Sequence, residues 1–441
     1  MPRGVARRAG AEMKNPSQWC AFLLPCILVN AGCGGDDTST TTPDSGVRDG
    51  QSEAEAGVTS PQRVLVTMNP MTGSTSELVA VNVETKKVDG TLKFPGFIGQ
   101  TDAHSTLFPF LLEQSNDLVA QLDAVRPWVI DSSWNVALKD TQKGSASYTD
   151  PAAAIVGADK KAYVLRYTRN EIAVIDMTKD VDAGAPASEI DLSSLLQKND
   201  TDGTVEMTAG VYVAAKSRLY VVLANIDKNL ITDNDTLCTP TVSTIVGIDT
   251  TTDTIVSLVS GADSGPKGSI ALTGFDPVFG GLVYDTLNDR LLVLEAGCNA
   301  PPLADGGADA GPGAVSKRGV EEVNLADGST KVLLDASQHG FPSGIVYIDK
   351  THAVLGFDFV GSEVYQWDPT QSALGALVKN APDVFTYDGV ANLLGTVTKY
   401  PAVGAPTTSV VSTDYKTGKS TTLSTDVPPG YVGGVDVWPH P

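Results

Sequence analysis

Histidine, cysteine and aromatic side chains are scarce in this chain. Only four His occur in 441 residues (His104, His339, His352 and His440), and no two stand at metal-ligand spacing within one element. That argues against a local zinc centre. No HExxH, GxSxG or CxxC occurs, so the signatures of zincins, nucleophile-elbow hydrolases and dithiol redox proteins are missing. Gly418-Lys419-Ser420 looks like the end of a phosphate loop, but Thr413 stands where its first Gly belongs. Basic charge is also short: 31 Lys and Arg face 52 Asp and Glu, for a net charge of -21. Nucleic acid and anionic membrane surfaces repel such a chain. No long amphipathic helical pattern appears after residue 60.

Turn formers and short apolar runs fill the space left by these absences. There are 43 Gly and 26 Pro, and apolar residues make up 41%. The stretch Lys161–Asp180 shows the unit: apolar runs at Tyr163–Tyr167 and Ile172–Ile175, a polar turn at Arg169–Asn170, and Asp176 closing the second run. Runs this short and this rich in Val, Ile and Tyr predict strands. An Asx side chain at the end of one can bond backbone two residues on and start a turn. The unit recurs seven times, its closing Asx being Asn82, Asp123, Asp176, Asp249, Asn324, Asp368 and Asp414. Residues 63–441 give about 54 residues per unit, within the range of propeller blades. One four-stranded sheet cannot bury both faces alone, whereas radially stacked sheets bury one another's faces. The expectation is an all-β, seven-bladed β-propeller of four-stranded blades. Its chain starts at Arg63 in a strong second-type strand and ends in a first-type strand, Pro428–Trp438, so pairing of the N- and C-terminal strands should close the ring.

Residues 1–33 read as an export signal: a basic stretch to Lys14, a short apolar run, then Ala31-Gly32-Cys33. The end resembles the lipobox of bacterial lipoproteins, with Asn30 departing from the expected Leu or Val. The resemblance implies lipidation at Cys33 and, with Gly34 after it, an outer-membrane address; an ordinary cleaved secretory signal is the alternative. Either Met1 or Met13 fits as the start. Residues 34–62 hold almost nothing that can be buried and predict a disordered tether, so the membrane would be met only through the lipid.

Units such as IAVIDMTKD and IVGIDTTTDTIVSL are similar to YVTN-type β-propeller repeats, and SEIDLSSLL with RLYVVLANID looks like exported propeller lipoproteins of Gram-negative bacteria. Propellers of this kind serve as enzymes, binding modules and surface proteins, so the resemblance carries the fold and not the function. Trp367-Asp368 is a lone WD dipeptide and does not make WD repeats. Two low-complexity inserts, Val181–Ser188 and Leu303–Val315, read as loops.

Cys238 and Cys298 both fall between the second and third strands of neighbouring units, where export favours a disulfide. The best site candidate is a set of carboxylates in the turns that lead into each first strand: Asp102, Asp150, Asp202, Glu206, Asp276 and Asp383, with His339 in the sixth unit. Oxygen ligands converging there could hold a hard cation such as Ca²⁺, and paired carboxylates could act as acid and base. Turn chemistry alone also places Asp before Pro or Gly. A binding or scaffolding module for a protein or glycan ligand, with aromatic anchors such as Phe97, Phe275, Phe385 or Tyr431, is the leading reading, and it makes the chain no enzyme. A metal-dependent, lactonase- or lyase-like enzyme is the alternative. A quinone-cofactor dehydrogenase ranks last, because the necessary ligand cluster is missing.

Overall fold

The computed structural model describes residues 61–441 apart from 71–74, 97, 103–108, 139–147, 158–159, 179–183, 231–240, 259–267, 300–314, 358–362, 402–404 and 440–441; at 99–102, 230, 299 and 315–316 it describes backbone alone. The signal, Cys33, nearly all of the tether, Phe97, Cys238, His104, His440, residues 181–183 of the first low-complexity insert and nearly all of the second lie outside the described residues.

Seven antiparallel sheets, each with a path of four strands, follow one another along the chain. Blade 3 shows the plan. Its innermost strand is Pro151–Val156, followed outward by Lys161–Arg166, Glu171–Asp176 and Ser188–Asp191. Blade 4 repeats it with Met207–Val213, Arg218–Leu223, Thr244–Asp249 and Thr254–Val256, and blade 5 with Pro277–Asp285, Arg290–Glu295, Gly319–Asn324 and Thr330–Asp335. Blade 2 begins at Ile98, blade 6 at Pro342 and blade 7 at Val384. Blade 1 is composite: Tyr431–Trp438 is its innermost strand and pairs antiparallel with Arg63–Asn69, Arg63 opposite Trp438. Each innermost strand lies against that of the next blade, and blade 7 returns to Tyr431–Trp438. The protein is a closed seven-bladed β-propeller.

Period-two alternation explains why the second strands read as unbroken apolar runs. In Lys161–Arg166, Ala162 and Val164 face blade 2 while Tyr163 and Leu165 face blade 4. A strand covered on both sides loses the apolar-polar alternation of a half-exposed one. The interior is accordingly divided into inter-blade cores. Ile155, Leu165 and Ile172 meet Leu219, Val221 and Val246 between blades 3 and 4, and Val64, Val66 and Val437 meet Leu394 and Val410 across the closure. Fully burying one such side chain is worth roughly 1.5–3 kcal/mol. Every blade therefore depends on two neighbours.

All seven closing Asx residues act as read from sequence. The side-chain oxygens of Asn82, Asp123, Asp176, Asp249, Asn324, Asp368 and Asp414 each accept the backbone N–H two residues on, at 2.8–3.0 Å. Hydrogen bonds in these turns pull three of the carboxyls below their ordinary range: the Thr251 N–H leads at Asp249, the Thr370 hydroxyl at Asp368 and the Thr417 N–H at Asp414. Two of the expected aromatic anchors are corrected. Phe275 is fully buried with Ala224, Ile226 and Cys298, and Phe385 is half-buried with its ring over Gly356. Tyr431 is 45% exposed.

Asn69 ties blade 1 to blade 2: its amide nitrogen donates to the Ile98 carbonyl at 2.8 Å and its side-chain oxygen accepts the Ile98 N–H at 2.9 Å. Removal of residues 430–441 strips one of its two strand partners from Arg63–Asn69 and takes Val437 out of the core around Val64 and Val66. The truncated protein is expected to lose its cooperative thermal transition, followed by circular dichroism. Leu65→Ala, at 0% exposure, is expected to cost about 2–5 kcal/mol in denaturant unfolding while leaving the ring closed.

Candidate functional site at the mouth of the ring

The turns leading into the innermost strands of blades 3, 4 and 5 share one backbone device. Asp150, Glu206 and Asp276 each immediately precede the strand, with φ of 51°, 44° and 54°. Their carbonyls accept the N–H of Tyr167, Ala224 and Ala296, the residues just after the second strands, at 2.9 Å in every case. The left-handed conformation is tolerable for Asp and less so for Glu. Three carboxylates are thus held in equivalent places on successive blades.

Tyr167 joins them. It is 2% exposed, and its ring lies 5.0 Å from that of Phe279 on the innermost strand of blade 5. Lys228, from blade 4, sets its ammonium 4.8 Å from the centre of the Tyr167 ring and 2.9 Å from Glu206. Glu206 also accepts the Ile226 N–H at 3.0 Å and a close hydroxyl bond from Thr204. Glu206 is 0% exposed. Asp150 and Asp276 differ: as whole residues both are half-buried rather than fully enclosed.

Electrostatics follows from that burial. Asp150 is pushed up to about 6 by burial, with Lys228 pulling it down and Asp117 adding to the rise. Burial drives Glu206 to about 8 against the pull of Lys228. Asp276 rises to about 7, again through burial, opposed by Arg318. Burial, then the field of Glu206, Asp276, Asp150 and Asp202, hold the Tyr167 phenol well above its ordinary value.

The other sequence candidates scatter. Asp202 belongs to a neighbouring group, in which oxygens of Asp200, Asp202 and Asp227 lie within 4.8 Å of one another. There Asp202 accepts the N–H of Thr204 at 2.9 Å and of Lys228 at 2.8 Å. Asp383 is buried and accepts the Thr398 N–H at 2.7 Å, a bond within its own blade. Asp102 is corrected: its backbone pairs with Phe110, at the end of the innermost strand away from the lead-in turn. His339 sits in the turn before blade 6, 5.1 Å from the Phe357 ring and 5.3 Å from that of Tyr365. Asp200 stands out in the sequence beside Asp202, in Asp200-Thr201-Asp202-Gly203; Tyr167, Lys228 and Asp227 were not found from sequence. A Tyr ending an apolar run beside a polar turn is the one signal that could have marked Tyr167.

No protein-family model and no curated protein matches the chain. Solved structures do. A candidate 6-phosphogluconolactonase from Bacteroides fragilis superposes with a TM-score of 0.52 at 13% identity over 86% of this chain and 98% of its own. A Lactobacillus plantarum protein gives 0.51 at 14% identity over 86% and 99%. A hypothetical selenium-binding protein from Sulfolobus tokodaii gives 0.51 at 10% over 87% and 94%. At these identities the likeness is one of fold.

Asp276 sets a pH signature. Its ordinary value is 3.8 and its folded value about 7, so between these the folded state holds a proton that the unfolded state has released, and stability falls as pH rises. Below pH 4 both states are protonated and the slope vanishes. Asp276→Asn is expected to flatten the part of the decline between pH 4 and 7 that this group causes, measured by denaturant unfolding across that range.

Proposed function

We propose that this protein is a non-catalytic binding module, exported and tethered through lipidated Cys33, whose propeller takes a positively charged group of a protein or glycan at the mouth formed by blades 3 to 5. The observation that carries this reading is the grouping of two half-buried acids, Asp150 and Asp276, with no cation in contact among the described residues, about the aromatic wall of Tyr167 and Phe279. Lys228 already rests its ammonium on that wall, and carboxylates with an aromatic face are the chemistry that recognises an amine. A lysine side chain or an amino sugar supplies such a group.

Titration with a lysine-rich peptide and with a chitosan oligosaccharide tests it. At least one is expected to bind, to weaken about tenfold or more in Asp150→Asn/Asp276→Asn, and to fail once its amines are acetylated. Equal binding of the acetylated probes would sink the reading. Labelled-lipid incorporation that survives Cys33→Ser would remove the anchor.

A second reading is favoured by the Asp200–Asp202–Asp227 group beside the mouth, whose oxygens suit Ca²⁺. A cation there would make a metal-dependent, lactonase- or lyase-like enzyme, with Asp150 or Asp276 titrating near neutrality as the acid or base. Lactone hydrolysis that is abolished by chelation and by Asp227→Asn would establish it in place of the first.

The Cys238–Cys298 bridge belongs to the same picture of an exported protein. It is supported by Cys298, which is buried and disulfide-bonded; Cys238 lies outside the described residues. Thiol mapping by mass spectrometry is expected to find a Cys238–Cys298 peptide and neither residue free.

A further inference from the structure

Blade 5 carries two acids where its neighbour carries hydrocarbon. Counting from the ends of the paired strands, Glu295 occupies the place of Leu223 in blade 4, and Glu321 that of Val246. Leu223 and Val246 are fully buried in the core between blades 3 and 4. Glu295 and Glu321 are each 1% exposed. The fold therefore needs only apolar groups at these two positions, and blade 5 spends them on carboxylates.

Both carboxylates converge on Gly274. Glu321 accepts the Gly274 N–H at 2.7 Å and the Thr273 N–H at 2.8 Å. A Cβ on Gly274 would fall 2.4 Å from Cγ and 2.8 Å from Oε1 of Glu295, so the Glu295 side chain fills the space that only glycine leaves. Register puts the two residues on one face as diagonal neighbours, about 7 Å apart at Cα. The carboxyl ends close that gap on a shared residue. Glu321 has donors. Glu295 has none among the described residues: both of its oxygens are buried without a hydrogen-bond partner there, and the charges bearing most on it are those of Glu321 and Asp276, both negative.

We propose that Glu295 and Glu321 are ligands of an occluded site for one hard divalent cation, Ca²⁺ by ligand type, reached from the mouth past Asp276. Two carboxylates in a dry inter-blade space repel unless something positive lies between them. All the donors are oxygens. Asp276 adds negative charge at the open side. The site is separate from the Asp200–Asp202–Asp227 group and independent of whether the mouth binds an amine.

The experiment uses the full chain stripped with EDTA, with CaCl₂ as probe in calorimetry and thermal melts. Saturable binding and a rise in melting temperature of about 5 °C are expected. The response should persist in Asp227→Asn and disappear in Glu295→Leu/Glu321→Val. That double variant copies the apolar pair of blade 4 but removes the Glu321 acceptor of the Thr273 and Gly274 N–H groups, which costs stability of its own. Glu295→Leu/Glu321→Gln, which keeps an acceptor there, is therefore run beside it, and the Ca²⁺ response should disappear in both. Two results would overturn the proposal: a wild type indifferent to Ca²⁺, Mg²⁺ and Mn²⁺, with Glu295 then simply protonated, or a double variant that binds Ca²⁺ as the wild type does. Loss of binding in Asp227→Asn alone would assign the ion to the other group and equally overturn it. None of these outcomes touches the amine-binding assay at Asp150 and Asp276.

Discussion

A four-stranded sheet with two apolar faces has no stable existence in water by itself, and this constraint governs the whole molecule. Each blade is solvated only at its edges and needs a neighbour on either side. Seven separate inter-blade cores result, of which that between blades 3 and 4 is a full example. A ring of such parts has a weak point wherever the chain begins and ends. Here the strand Tyr431–Trp438 fills it, pairing with Arg63–Asn69 so that the first and last segments share one sheet. The covalent chain thus crosses every inter-blade junction, and the seam held by hydrogen bonds lies inside blade 1, between Tyr431–Trp438 and Arg63–Asn69.

The same geometry makes a site out of turn chemistry. A residue leading into an innermost strand must reverse the chain near the ring axis, and left-handed backbone achieves this at Asp150, Glu206 and Asp276. Repetition by blade then sets three carboxylates side by side. Only one, Glu206, receives a cation at contact distance. The other two are half-buried, and burial rather than mutual repulsion is the main reason their protons are held so firmly. Lys228 and Tyr167 are what separate this cluster from a set of capped turns, since they bring a counter-charge and an aromatic wall to the same point.

Local order was legible in the chain because it rests on local rules. Val, Ile and Tyr in short runs gave the strands, and the seven Asx residues gave the turns, each bonding backbone two residues on as its side-chain length dictates. Closure was legible too, since one terminal run lacked a first strand and the other lacked the strands that follow. Phe275 was misread for the opposite reason. A Phe in a Gly- and Asp-containing turn looks exposed, and its burial depends on Ala224, Ile226 and Cys298 from other segments. Asp102 was misassigned because the pattern does not say at which end of a short strand a polar residue will fall; its pairing with Phe110 does.

By itself, then, the sequence determined that the chain is all-β, that it has seven units, and that its two ends meet, because periodicity and turn residues act within a few positions of one another. Only the tertiary structure decided which carboxylates share a space. Asp150, Glu206 and Asp276 are separated by more than fifty residues each, and Glu295 sits in the apolar run LLVLE with nothing in its neighbourhood to mark it as unpartnered. Whether a charge is solvated, paired or stranded is a property of the space around it, and in a propeller that space is supplied by the adjoining blade.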